Sequence, residues 1–136
     1  MARSVLIDTA YFVAMLDPRD RKNENALALS RRLAAEGAAL VTTDAVLFEF
    51  ANYFARSPLR SHCIGWIGAL RADPGWAVEP IDPALLTNAE ARYRQHADKG
   101  WSLTDCHSME VLRARRMTEV ATSDAGFRPA GFRILL

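Results

Sequence analysis

Short apolar runs alternate with longer amphipathic stretches along this chain, and that alternation predicts its elements. Ser4-Val5-Leu6-Ile7 is a short apolar strand that ends at Asp8, and Thr9 to Leu16 reads as a helix. Asn23 to Glu36 is an amphipathic helix in which Leu27, Leu33 and the alanines recur at helical spacing until Gly37 stops it. Ala38 to Thr43 is a second strand. Asp44 is placed to N-cap a helix from Ala45 to Arg56, with Pro58 just beyond its end. Leu59 to Arg71 is a further helix, closed by the turn Asp73-Pro74-Gly75. Trp76 to Ile81 reads as a strand. A helix then opens at Asp82-Pro83, with proline at a permitted first position, and runs to about Asp98. Ser102 to Met117 is helical, Glu119 to Thr122 a strand, and Phe132 to Leu136 a last strand. Strands separated by helices require crossovers, so the expected fold is α/β: three layers, with a central parallel sheet between helices.

Length and composition narrow this to one domain over residues 1–136. Half of the 136 residues are hydrophobic and 24% are charged, which excludes a disordered chain, a collagen and a coiled-coil rod. No apolar run approaches the ~20 residues that span a bilayer, and the first residues carry too short an apolar run for a secretory signal. The expected setting is cytoplasmic, with Cys63 and Cys106 as reduced thiols because their separation matches no metal-binding spacing. A net charge of +1 makes no bulk case for nucleic acid. Fifteen of the seventeen cations are arginine, the better bidentate phosphate partner, although a bias towards GC-rich codons explains that equally well.

The acids change the picture more. Ligands of an open parallel sheet bind beyond the carboxyl ends of its strands, near the point where strand order reverses. Asp8 follows the first strand directly, and Asp124 follows Val120-Ala121-Thr122 after one residue. Asp105 lies in the first turn of the helix from Ser102, and Glu49 lies in the helix after the second strand. Four carboxylates converging there would raise one another's pKa and persist only with a cation, and all-oxygen ligation suits Mg²⁺ or Mn²⁺ rather than zinc. Each acid has a plainer use. Asp8 and Asp124 can serve as turn or cap residues, and Asp105 fits a capping box with Ser102, which is compatible with holding a metal.

Glu49 is hardest to explain structurally. The run Ala45 to Ala55 is apolar on nearly every side, which marks a buried helix, and Glu49 shares its polar side with Asn52. A lone buried carboxylate is costly unless it is paired or coordinated, and coordination is preferred here over a salt bridge. Thr9, Ser102 and Thr122 stand beside these acids, where hydroxyls orient carboxylates or cap helices.

In order and spacing, Val5-Leu6-Ile7-Asp8-Thr9, Glu49 with Asn52, Ser102-Leu103-Thr104-Asp105-Cys106 and Ala121-Thr122-Ser123-Asp124-Ala125-Gly126-Phe127 resemble the PIN-domain ribonucleases, and most of all the VapC-type toxins of toxin–antitoxin pairs. The resemblance implies an acidic pocket in which Asp8, Glu49, Asp105 and Asp124 hold one or two Mg²⁺ or Mn²⁺ ions, supported by hydroxyl residues at Thr9 and Thr122. It further implies endonucleolytic cleavage of RNA, a homodimer, and a cognate antitoxin whose tail blocks the pocket. In such a site the ion inverts the acidic field, polarises the phosphoryl oxygen and activates water, with Glu49 or Asp105 orienting that water. Arg19, Arg21, Arg56, Arg60, Arg113, Arg115 and Arg116 are candidates to hold the RNA backbone.

Other classes fare worse. His62, His96 and His107 lack zinc spacing and read as surface or capping residues. Neither a Gly-x-Ser-x-Gly elbow nor a phosphate-cradling Gly-Lys-Ser/Thr loop occurs. Position 10 is alanine, which disfavours an aspartyl-phosphate enzyme. A phospho-receiver domain would need a lysine near the last strand, and Lys22 and Lys99 lie elsewhere in the chain. An inactive PIN-like scaffold remains an alternative, opposed by the complete acid set. The helix Leu59–Arg71 carries Ile64, Trp66, Ile67 and Leu70, enough apolar area for core packing or for an interface.

Overall fold

In the computed structural model, which describes residues 3–136, five parallel strands form one sheet in the order β3-β2-β1-β4-β5. The strands are β1 (Ser4–Ile7), β2 (Ala39–Thr43), β3 (Trp76–Glu79), β4 (Glu119–Ala121) and β5 (Arg133–Ile134). The helices are α1 (Thr9–Leu16), α2 (Asn23–Ala35), α3 (Asp44–Tyr53), α4 (Arg60–Ala72), α5 (Pro83–Gln95) and α6 (Leu103–Ala114). The expected three-layer α/β/α fold is what the chain adopts.

β1 is central, with Leu6 in register with Val41 on one side and Val120 on the other. Val5, Leu6 and Ile7 have no solvent exposure, because a parallel strand between two helical layers has no wet face. Their side chains alternate between two cores. Val5 and Ile7 join Phe12, Leu29, Leu33, Phe50 and Leu70 from α1–α4, whereas Leu6 joins Ala89, Met109 and Leu112 from α5 and α6.

Element ends depart from expectation for identifiable reasons. The side chain that caps α3 is Thr43, whose hydroxyl accepts from the Val46 N–H at 3.0 Å, while Asp44 is already helical and turns to Arg71. β3 stops at Glu79 before Pro80, which has no N–H for the ladder. α5 ends at Gln95, and a tighter turn over Ala97–Lys99 completes that segment. α6 ends at Ala114, where Arg116 at φ 56° lets the Met117 N–H return to the Leu112 carbonyl. The last strand proper is only Arg133–Ile134, although Leu135 and Leu136 still donate to the carbonyls of Val120 and Thr122.

The buried helix is α6 rather than α3. Every residue from Cys106 to Leu112 is buried, while Phe48 and Tyr53 of α3 are 65% and 61% exposed. His107 is therefore internal and not a surface or capping residue. Neither ring nitrogen has a hydrogen-bond partner among the described residues, and burial holds its pKa below the usual histidine value. His62 is exposed, and His96 packs against Trp101. Both cysteines are free and buried. On α4 the apolar residues divide: Cys63, Ile67 and Leu70 enter the core, while Ile64 and Trp66 stay exposed.

Candidate functional site

Strand order reverses between β1 and β4, whose carboxyl ends lie side by side, so the residues that follow them face a common crevice. Asp8 leaves β1 and Asp124 lies three residues beyond the end of β4. Together with Glu49 of α3 and Asp105 of α6 they line one open cleft of about 450 Å³.

Asp8 sits at the N-cap of α1, but its carboxylate does not cap. The cap function passes to its backbone carbonyl, which accepts from Tyr11 at 3.2 Å. The freed carboxylate is buried and accepts from the Thr122 hydroxyl at 2.8 Å. Burial pushes its pKa up to about 6, against the pull of the Thr122 hydroxyl and the Thr9 N–H, and the charges of Asp105 and Glu49 add to the rise. Glu49 accepts from the Thr9 hydroxyl at 2.7 Å through Oε1.

Asp105 and Ser102 form a complete capping box: the Ser102 N–H donates to Oδ2 of Asp105, and the Asp105 N–H donates to the Ser102 hydroxyl, both at 3.0 Å. Burial raises the pKa of Asp105, with the charges of Asp124 and Glu49 adding, against the Ser102 donors. Asp124 accepts from the Gly126 N–H at 2.8 Å through Oδ1, and its own N–H donates to Thr122. Thr122 thus ties two of the acids together. Glu49, Asp105 and Asp124 each retain a carboxylate oxygen outside these bonds.

Arginines are abundant, yet none reaches these acids. The ion pairs among the described residues engage Asp17, Glu36, Asp44, Glu79, Asp98, Glu110 and Glu119, and none of the four cleft carboxylates. Among the described residues, no three His, Cys, Asp or Glu side chains close into a ready-made metal cage. Hard oxygen donors, oriented by hydroxyl and amide groups and lacking a cation, nevertheless suit an ion such as Mg²⁺. That ion commonly takes only one or two protein carboxylates and fills its other positions with water and substrate oxygens.

Other residues were placed differently from expectation. Asn52 is exposed and does not line the cleft. Asp20, Lys22, Tyr53 and Ser123 also line it, although the sequence does not mark them as site residues. The turn after α1 brings Asp20 and Lys22 back, as Asp17 and Asp20 each accept from the backbone N–H two residues on. Asp17-Pro18 carries that turn signal, but nothing in the chain says where the turn points. Among the expected RNA-holding arginines, Arg113 and Arg115 pair with Glu110 and Glu79, and Arg60 donates to the Ala55 carbonyl.

Solved structures share this fold. The crystal structure of Mycobacterium tuberculosis VapC20, described as a sarcin–ricin loop cleaving toxin, superposes with a TM-score of 0.82 at 22% identity, covering 95% of this chain and 96% of that one. FitAcB from Neisseria gonorrhoeae gives 0.67 at 18% identity over 97% and 96% of the two chains. PAE2754 from Pyrobaculum aerophilum gives 0.62 at 13% identity over 99% and 91%. A comparison with curated protein sequences finds no match. The profile of the PIN domain matches residues 5–132, which takes in β1 from Val5 onward, β2, β3, β4 and all four acids of the cleft, and the chain belongs to the PIN domain family.

Proposed function

We propose that this PIN domain is a divalent-metal-dependent endoribonuclease, the toxin of a type II toxin–antitoxin pair. One observation carries the proposal: carboxylates from four separate segments line a single cleft at the strand-order reversal, and among the described residues no cation forms an ion pair with them. The overall likeness to VapC20, whose description is that of a sarcin–ricin loop cleaving toxin, supports the same reading.

Mg²⁺ or Mn²⁺ bound by Asp8, Glu49, Asp105 and Asp124 would supply the positive field that admits a phosphodiester and the Lewis acidity that polarises it. Thr122 and Thr9 hold Asp8 and Glu49 in fixed orientation, so little reorganisation is needed when substrate arrives. Asp105, held by its capping box, presents its remaining oxygen from a helix amino end, where the local dipole favours the ionised form. Glu49 keeps Oε2 to orient the attacking water. The same reading brings in RNA as substrate, a cognate antitoxin and a second copy of the chain as partners, and the cytoplasm as the place of action. Among the described residues no helix is long and apolar enough to cross a membrane.

The test is RNA cleavage by the purified chain, freed from any partner, with Mg²⁺ or Mn²⁺ and with the ion chelated. Metal-dependent cutting that disappears in Asp8→Asn and Glu49→Gln, both still folded, is the expected result. A pure, folded chain that cuts no RNA under either ion would leave the inactive scaffold as the better description.

A further inference from the structure

We infer that Tyr53 is a stacking platform for an unpaired nucleobase beside the scissile phosphate, and that Lys22 holds a flanking phosphate. The inference rests on the nuclease reading above and adds to it two positioning residues.

Tyr53 stands at the carboxyl end of α3, one helical turn beyond Glu49, and both line the cleft. A large apolar ring 61% exposed gains little from its own fold. Its inner edge is nevertheless anchored. The ring meets buried Phe54 edge-on at 4.9 Å between centroids, Phe54 meets Phe50 edge-on at 5.7 Å, and Phe50 stacks on Phe12 at 5.1 Å. A ladder of aromatic rings thus runs from the core to the cleft and ends in a ring more than half open. Such a ring costs little conformational entropy on binding, since the core already restrains it. Every base offers it a π-face, so stacking there is tolerant of sequence but requires an unpaired base.

Lys22 supplies the complementary element. It is the one cationic side chain lining the cleft among the described residues, and it makes no ion pair there. Its position is set by the turn through Asp20, whose carboxylate accepts the Lys22 N–H at 2.8 Å and leaves the ammonium free for an external anion. A polyanion threading an acidic cleft needs such a counter-charge away from the acids themselves.

Binding is measured by fluorescence anisotropy with a short end-labelled single-stranded oligoribonucleotide and with its annealed duplex. The Glu49→Gln background with Mg²⁺ keeps the RNA intact, and cleavage kinetics are followed in parallel in the otherwise wild-type chain. Tyr53→Leu is expected to weaken single-strand binding about ten- to a hundredfold and to raise KM with kcat nearly unchanged, while duplex binding does not move. Tyr53→Phe and Tyr53→Trp restore binding, which a merely structural or hydrogen-bonding tyrosine would not predict. Lys22→Ala lowers the slope of log affinity against log salt by about 0.7, and Tyr53→Leu leaves that slope alone. Cleavage by the wild-type chain with binding indifferent to Tyr53→Leu overturns this inference and leaves the nuclease reading standing. Tyr53-dependent single-strand binding without any cleavage removes the nuclease reading instead.

Discussion

At the amino end of the sheet, Arg3 reaches Glu36 at 2.6 Å and Glu119 at 2.7 Å, and Arg133 lies 3.5 Å from Glu119. At the carboxyl end, reached along the same two strands, Asp8 and Asp124 stand with Glu49 and Asp105, and among the described residues no cation lies within ion-pair distance of them. The guanidinium of Arg3 holds the Glu119 carboxyl below its ordinary value, whereas burial and neighbouring charge raise that of Asp8. Similar residues under similar strand geometry therefore serve opposite ends. One end spends its carboxylates on holding α2, β1, β4 and β5 together; the other leaves them uncompensated, at a cost in stability that a bound cation can offset.

The contrast can be broken most directly at the cleft. Asp8→Asn or Glu49→Gln should lower RNA cleavage by at least about a hundredfold, the upper range for losing even an outer partner of a metal site, with the circular dichroism spectrum unchanged. Loss of activity accompanied by loss of fold would mean that the acids hold structure after all.

Protonation sharpens the contrast next. The folded chain holds the Asp8 proton up to about pH 6, against an ordinary value of 3.8, so between those values the folded state binds more protons than the unfolded one. The stability that this group contributes is fully present below pH 3.8 and is lost as pH rises through 6, by about 3 kcal/mol in metal-free protein. Glu119 has the opposite sign, because its folded pKa is lowered: its contribution is present above the ordinary value and is lost as pH falls. Urea denaturation of Asp8→Asn and Glu119→Gln against pH should flatten the two dependences separately. Adding Mg²⁺ should raise the midpoint of the wild type above pH 6 and leave that of Asp8→Asn nearly unmoved.

Smaller effects follow. Arg3→Ala strands Glu119 in a partly buried position and should destabilise the fold by about 1–3 kcal/mol, with kcat/KM for RNA unaffected. Thr122→Val removes the hydroxyl that orients Asp8 and receives the Asp124 N–H, and should weaken divalent-metal binding about tenfold by calorimetry.

Much of this arrangement was legible beforehand. The run Val5-Leu6-Ile7 ending in Asp8 announces a buried parallel strand with an acid at its carboxyl end, and both readings depend only on local pattern. Ser102 with Asp105 encodes its capping box within four residues, so the box appears in the structure as the spacing implies. What local pattern missed depended on neighbours. Apolar residues on nearly every side of α3 mark a buried helix in the sequence, but Phe48 and Tyr53 face outward, and only Val46, Leu47 and Phe50 of the helix are buried. His107 lies inside because α6 is covered on both sides, which its own mixed sequence does not reveal.

From the order of residues alone came the strand–helix alternation, the parallel sheet that helical crossovers imply, and the four acids that follow its strands or lie in the helices after them. Periodicity, caps and turns act over a few residues, and that range is enough to specify them. Only the tertiary structure decided that the arginines would gather elsewhere, that the turn after α1 would carry Lys22 back to the acids, and that Tyr53 would end an aromatic ladder in the cleft. These outcomes depend on the relative placement of elements far apart in the chain, which is settled by how two cores pack against one sheet rather than by any segment's own preference.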